Sequence, residues 1–237
     1  MPTTVMPEYF GKDLEAMSFA RNYHEWIFSE FRPFLGDAVA EVGAGIGSFS
    51  QLLLRARIRQ LSAFEPSENM FPQLQKNLAA DSRAEAINGY FGSNASGGFD
   101  SVLYVNVLEH IEDDVGEVVR AYAALNPGGH LLIFVPALPW LFGEVDRQVG
   151  HFRRYLKKPL TCLVADAGFT NLKVRYFDVA GILPWYISIV LLKNGLGSAG
   201  TSLYDRLVVP PMRRIESLIP PPIGKNLLLI ARKQGTL

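Results

Sequence analysis

Three glycines at alternate positions, Gly43, Gly45 and Gly47, punctuate the stretch AEVGAGIGSF between a short apolar run and an amphipathic one. Glycine has an entropic cost wherever it is fixed, so its repetition means that the backbone must be bare there or must turn as other residues do not. Such a turn at the start of a helix lets a ligand approach the chain and offers it unpaired N–H groups. Glu65 follows about twenty residues on, closing the next apolar run, where a carboxylate can accept from ribose hydroxyls. Together these features point to an adenosine-bearing cofactor. The purely structural account of the same residues is a tight turn and a surface glutamate.

Candidate proton acceptors come next. The chain has four histidines. His110 lies just past the apolar run FDSVLYVNV, and His151 lies in EVDRQVGHFRRYLKK, residues 144–158. Either could serve as a general base to a hydroxyl or amine. His24 and His130 have no neighbouring ligand pattern and read as surface or packing residues. In the 144–158 stretch, Arg153 and Arg154 put two guanidinium forks beside Tyr155, with Asp146 upstream. Paired forks suit a carboxylate or phosphate. The plain alternative is a solvated cationic stretch before a helix, with Asp146 as its surface partner. No His, Cys, Asp or Glu grouping has metal-ligand spacing, so no metal site is expected. Cys162 is the single cysteine; it fits a reducing compartment and is expected to pack inside.

These groups need elements to hold them. AVAEV (38–42), IRQLSAFEP (58–66), EAINGY (85–90), FDSVLYVNV (99–107) and HLLIFVPA (130–137) read as strands. Helical spacing recurs over 18–31, after the glycines, after Ser67, and through Ile111, Val115, Val118, Val119, Tyr122 and Leu125 up to the stop NPGG. A helix over 159–167 and strands at 171–179 and 226–233 complete the chain. Strands alternating with helices imply a parallel sheet built from βαβ units.

Four stretches in order resemble the class I S-adenosylmethionine-dependent methyltransferases. VAEVGAGIG resembles their first motif, E/D-x-G-x-G-x-G, and AFEPSENM the motif that follows it. FDSVLYVNVLEHIEDD and LNPGGHLLIFVP are similar to the fourth- and fifth-strand motifs. The spacing is G-x-G-x-G, with Ser48 where a dinucleotide fingerprint continues, and no Walker lysine follows. The resemblance implies a Rossmann-like α/β fold with a seven-stranded, mostly parallel sheet, its last strand antiparallel, and helices on both faces. It implies S-adenosylmethionine as cofactor. Glu41 would orient the loop or the methionine amino group, and Gly43, Ala44, Gly45 and Gly47 would let the cofactor pass. Glu65 would take the ribose, with Pro66, Ser67 and Met70 flanking the adenosine. Gly89 and Tyr90 would border the adenine, where the acid often found in the family is absent. Asn106, Val107 and Leu108 would lie beside the sulfonium end.

With 237 residues, 49% of them hydrophobic, and no net charge, the chain is expected to form one domain with no nucleic-acid partner. Its N-terminus lacks a secretory pattern, and a cytoplasmic protein is expected. Residues 1–36 are expected as a helical cover, 138–158 as a substrate-recognition segment and 180–224 as a lid inserted between the last two strands. Tyr23, one turn from Trp26, would face the methionine carboxylate or the substrate. The apolar run VAGILPWYISIVLL, broken by Pro184, is too short to span a bilayer, and Trp185 and Tyr186 would wall the cavity. Gly195, Gly197 and Gly200 follow it. The expected activity is methyl transfer to a small-molecule acceptor with a polar or anionic group and an apolar body; the order D…GH.RRY over 146–155 resembles a bacterial small-molecule subgroup found with natural-product or glycan pathways. The alternatives are a lipid-linked or glycan precursor at a membrane surface, and a non-catalytic cofactor-binding protein. Peripheral membrane contact and a homodimer are compatible with these features.

Overall fold

The apolar runs become the inner strands of one sheet. A computed structural model describes residues 20–92, 97–192 and 198–235. Residues 1–19 of the expected cover, including Phe19, lie outside the described residues. So do Ser93 and Asn94 after the third strand, and Lys193, Gly195 and Gly197 of the expected lid. The strands are β1 (Ala38–Val42), β2 (Gln60–Glu65), β3 (Ala84–Asn88), β4 (Phe99–Val105), β5 (Leu125–Pro136), β6 (Phe169–Phe177) and β7 (Asn226–Lys233). Their order is β3-β2-β1-β4-β5-β7-β6. All pairs among the first five are parallel, whereas β7 runs antiparallel to both β5 and β6. This is the expected sheet, with the last strand of the chain reversed.

Helices cover both faces because the strands are apolar on both. On one face α1 (Arg21–Phe31) buries Trp26, Ile27 and Phe31 against Val39, Leu103, Phe134 and Leu228. Each such side chain contributes about 1.5–3 kcal/mol by leaving water. On the other face, α4 (Asp114–Ala124) sets Val118 and Ala121 against Val102 and Tyr104. There, too, α6 (Lys157–Asp166) brings Leu160 and Val164 to the same cluster. The shorter helices are α2 (Ser50–Leu53), α3 (Phe71–Leu78) and α5 (Glu144–Gln148).

Several elements depart from the sequence pattern. NPGG does not separate helix from strand. It forms the start of β5, where pairing to β4 shifts register between Phe99 and Ser101. The helix after the glycines is a single turn. Cys162 is exposed on α6, not packed inside, because the amphipathic face of that helix is set by Leu160 and Val164. The apolar run after β6 forms α7 (Ile182–Trp185) and then a wider π-helical turn, Tyr186–Leu191. Pro184 falls in the first turn of α7, where an N–H would have no partner within the helix. Two further helices, α8 (Ser198–Leu207) and α9 (Val209–Leu218), precede β7. Among the described residues no helix is long and apolar enough to cross a membrane.

The strand order reverses between β1 and β4, which opens a crevice beyond their carboxyl ends. Backbone strain gathers on this edge. Asn106, Leu138 and Asp178 have φ of 54°, 63° and 62°, just past β4, β5 and β6 respectively. Such conformations cost about 1–3 kcal/mol each and persist where the surroundings impose them.

Candidate active site

One cavity of about 1320 Å³ occupies the crevice. Its first half is built from the ends of β1 and β2. Gly43 and Gly45 turn with φ of 67° and 57°, and a Cβ on Gly43 would lie 2.6 Å from Val107 Cγ2. The bare backbone is therefore a packing requirement as well as an approach for a ligand. Glu65 bridges the two strand ends: Oε2 accepts from Gly45 N at 2.7 Å and Oε1 from Ser67 N at 2.8 Å. Burial raises its pKa, and these two bonds oppose the rise. A carboxylate oxygen can accept more than one hydrogen bond, so both retain capacity for ribose hydroxyls.

Glu41, at the end of β1, is fully buried and accepts from Ser50 Oγ. Burial pushes its pKa up to about 8, against the Ser50 hydrogen bond and with the charge of Glu65 adding to the rise. A buried acid whose ionised form is disfavoured suits a site that receives a cation. Ala44, Pro66, Ser67, Met70, Gly89 and Tyr90 also line this half, as do Asn106 and Val107. The N–H of Asn106 donates to Phe134 O at 2.8 Å, which fixes the strained turn.

Two expected cofactor neighbours do not line the cavity. Leu108 is fully buried, with its carbonyl accepting from Tyr155 Oη at 3.2 Å. Gly47 packs instead: a Cβ there would meet Leu74 Cδ1 at 3.0 Å. Conversely, Glu117 and Arg120 line the far end beyond Gly92, although the sequence reading passed over them. They are joined at 2.7 Å, and Tyr104 Oη donates to Glu117 at 2.8 Å. Their i,i+3 spacing on α4 was the available signal.

The second half lies beyond β4, β5 and β7. Tyr23 lines it with its ring, while its hydroxyl is 3.1 Å from Asp178 Oδ2 and 3.0 Å from Asn226 Oδ1. Burial, followed by the charge of Asp178, raises the Tyr23 pKa well above its ordinary value. At neutral pH it is a donor committed to the protein, not a base. Lys225, which the sequence reading also missed, pairs with Asp178 at 3.1 Å. Its ammonium lies 5.2 Å from the Tyr23 ring centroid and 5.5 Å from that of Trp185. Trp185 lines the cavity and donates to Leu141 O at 3.1 Å. Tyr186 does not line it; the ring sits against Trp140, at 5.7 Å between centroids.

The paired arginine forks do not form a clamp open to the cavity. Arg154 is buried and bidentate to Asp146, with Nε 2.8 Å from Oδ1 and Nη2 3.0 Å from Oδ2. It lines the cavity with its fork already taken. Arg153 points elsewhere, 2.8 Å from Asp114 Oδ2 and 2.7 Å from Glu112 O. Tyr155 is core, 2.8 Å from Asp114 Oδ2. Asp146 is no surface partner: it is fully buried and also accepts from Gly143 N at 2.9 Å and His151 Nδ1 at 2.8 Å. Burial would raise its pKa, but the His151 and Arg154 bonds hold it below the usual carboxylate value. The 138–158 segment is thus braced by an internal ion pair.

His110 and His151 both line the cavity, with ring centroids 4.5 Å apart and edge to face. Burial, followed by the electrostatic influence of the neighbouring His151, lowers the His110 pKa to about 3, so its imidazole is neutral at physiological pH. His24 packs edge-on against Phe49 at 6.0 Å.

Residues 40–131 match a family model described as "Methyltransferase domain". Over 182 residues the chain is 24% identical to a ubiquinone biosynthesis O-methyltransferase of Xanthomonas axonopodis, covering 68% of this chain and 72% of that one. It is 31% identical over 112 residues to a protein of the same name from Methylocella silvestris, covering 45% and 42%. Among solved structures, a possible histamine N-methyltransferase of Thermotoga maritima superposes with a TM-score of 0.63 at 20% identity, covering 95% and 96% of the two chains. A Haemonchus contortus phosphoethanolamine N-methyltransferase in complex with S-adenosyl-L-methionine gives 0.62 at 18% identity, covering 95% and 58%. These structural likenesses concern the fold.

Proposed function

Because the chain belongs to the class I S-adenosylmethionine-dependent methyltransferases, we propose that it methylates a small molecule with a polar group and an apolar body. The enzyme uses S-adenosylmethionine, which when bound supplies a methyl group on a positively charged sulfur. Glu65, Gly45 and Ser67 are assigned to the ribose, Glu41 to the cationic end and Met70 to the adenine. Asn106 and Val107 stand where the two halves meet. The acceptor is assigned to the half walled by Tyr23, Trp185, His110, His151 and Lys225. The protein's task is alignment and exclusion of water, because the electrophile is brought by the cofactor. The helix before β1 and the described helices between β6 and β7 serve as its cover.

The observation that carries this reading is the continuity of one cavity from Glu65 to Trp185. An oxygen nucleophile is in keeping with the O-methyltransferase name of the sequence relatives. Incubation with radiolabelled S-adenosylmethionine and a fractionated small-molecule extract tests it. Label should enter an organic-extractable small molecule. Label entering only protein or nucleic acid would overturn the reading.

A second reading concerns where the acceptor is met. Among the described residues from Leu183 to Ile223, ten large apolar side chains are exposed. In the same stretch Asp205 and Glu216 are buried, while Arg206, Arg213 and Arg214 face out. An apolar, cationic outer face suits an anionic lipid surface and an acceptor delivered from it.

A further inference from the structure

We propose that Glu109, His110 and His151 form a divalent-cation site facing the acceptor half of the cavity. One ligand atom from each lies within 4.8 Å of the others, and all three residues line the cavity. Forty-one positions separate His110 from His151 in the sequence, so no local spacing announces the group. The fold brings it together. Leu108–His110 form a turn past β4, and Phe152 N donates to Glu109 O at 2.8 Å, joining the two segments.

The hydrogen bonds around the histidines carry the inference. Asp146 receives two bonds from the Arg154 guanidinium, which can only donate, and so acts as an acceptor throughout. His151 Nδ1, 2.8 Å away, must therefore be the protonated nitrogen of that pair. This directs Nε2 at Glu109 Oε1, 3.9 Å distant. In the neutral ring Nε2 is a lone-pair donor to a Lewis acid, and it faces a second one in the carboxylate. An ion bound at ~2.0–2.2 Å from each is accommodated when that gap closes by about half an ångström. The His110 ring is hydrogen-bonded to the backbone of Val149 and Gly150. Both histidines thus have the carboxylate or carbonyl partner that orients a metal-binding imidazole.

Two histidines and one carboxylate leave open coordination positions, as catalytic rather than structural sites do. The open side here is the cavity. Resting on the methyl-transfer reading, the consequence is an acceptor that binds through a hydroxyl oxygen. Coordination lowers the pKa of that O–H, and its proton leaves to water. The oxygen then forms the new C–O bond as the S–CH3 bond breaks, giving a methyl ether and the neutral thioether product.

Titration of the full-length protein with Co²⁺, followed by visible absorption and calorimetry, tests the site without any acceptor. One ion per chain is expected, with affinity reduced at least tenfold in Glu109→Gln and in His151→Ala. S-adenosylmethionine affinity of the same variants reports that they are folded. Co²⁺ affinity unchanged in both variants overturns the proposal. So does a folded wild-type protein that binds no Co²⁺, Zn²⁺ or Mn²⁺. Should His151→Ala fail to fold, nitrogen-resolved NMR of wild-type His151 decides: Nε2 unprotonated and shifted by Zn²⁺ is expected, and a proton on Nε2 at neutral pH with no response to Zn²⁺ refutes the site. Metal binding without methyl transfer would leave the site standing and remove the functional reading.

Discussion

Glu41 shows how one buried carboxylate ties stability to pH. Its pKa in the folded protein is about 8, raised chiefly by burial. Below the ordinary carboxylate range it is protonated in both folded and unfolded states, and above about 8 it is ionised in both. Between those limits the folded protein holds a proton that the unfolded chain has released, so stability falls as pH rises across the window. Glu41→Gln removes the charge and keeps an acceptor for Ser50. Thermal denaturation of the ligand-free protein should therefore show the variant gaining on wild type by a few kcal/mol between acid pH and pH ~8. A constant difference across that range would mean that Glu41 is ionised throughout.

The turn after β1 and the segment after β5 govern the site as elements. At Gly43 an added methyl group would meet Val107 in a left-handed backbone. Gly43→Ala should destabilise by roughly 2–4 kcal/mol, part strain and part overpacking. Adding Val107→Ala should return the overpacking part, and a strictly additive double variant would show that the two residues do not meet. In the second element Asp146→Ala leaves the buried Arg154 without its carboxylate. It should cost about 3–5 kcal/mol in chemical denaturation, whereas loss of a surface pair would cost under about 1 kcal/mol.

These two elements also mark what could be read from the chain. The β1 turn was legible because glycine spacing and a carboxylate at the next strand end are local signatures, and Glu65 and Gly45 do meet. The strand 226–233 was legible for the same reason, as a bounded apolar run. The 144–158 segment was not. Its forks looked like a clamp, yet Arg154 folds back on a residue eight positions away and Arg153 onto Asp114. Partner choice there depends on tertiary packing, which no spacing encodes. Lys225 and Glu109 were invisible for a related reason: each matters only beside residues far along the chain.

On the scale of the whole molecule, exposed apolar residues concentrate on the outer side of α7, α8 and α9. Leu203 and Leu207 are exposed and also reach the cavity, so this face and the acceptor half adjoin. A lid over a soluble acceptor was the expectation from an apolar run without a polar face of its own. The outward arginines and inward acids of the following helices supply that polar complement. Liposome co-sedimentation should show binding to vesicles with anionic lipid that weakens with salt. Arg213→Glu with Arg214→Glu should reduce it severalfold at unchanged cofactor affinity, and equal pelleting with neutral vesicles would point to apolar contact alone. Everything else rests on what the Glu65 edge of the cavity holds. Isothermal titration of wild type and Glu65→Ala with S-adenosylmethionine and with NAD addresses that directly. Removing charge-assisted bonds of about 1.5–3 kcal/mol each should weaken S-adenosylmethionine binding at least ~tenfold, with NAD bound by neither protein. Equal S-adenosylmethionine affinity in a folded Glu65→Ala variant, or tighter binding of NAD by wild type, would contradict the assignment.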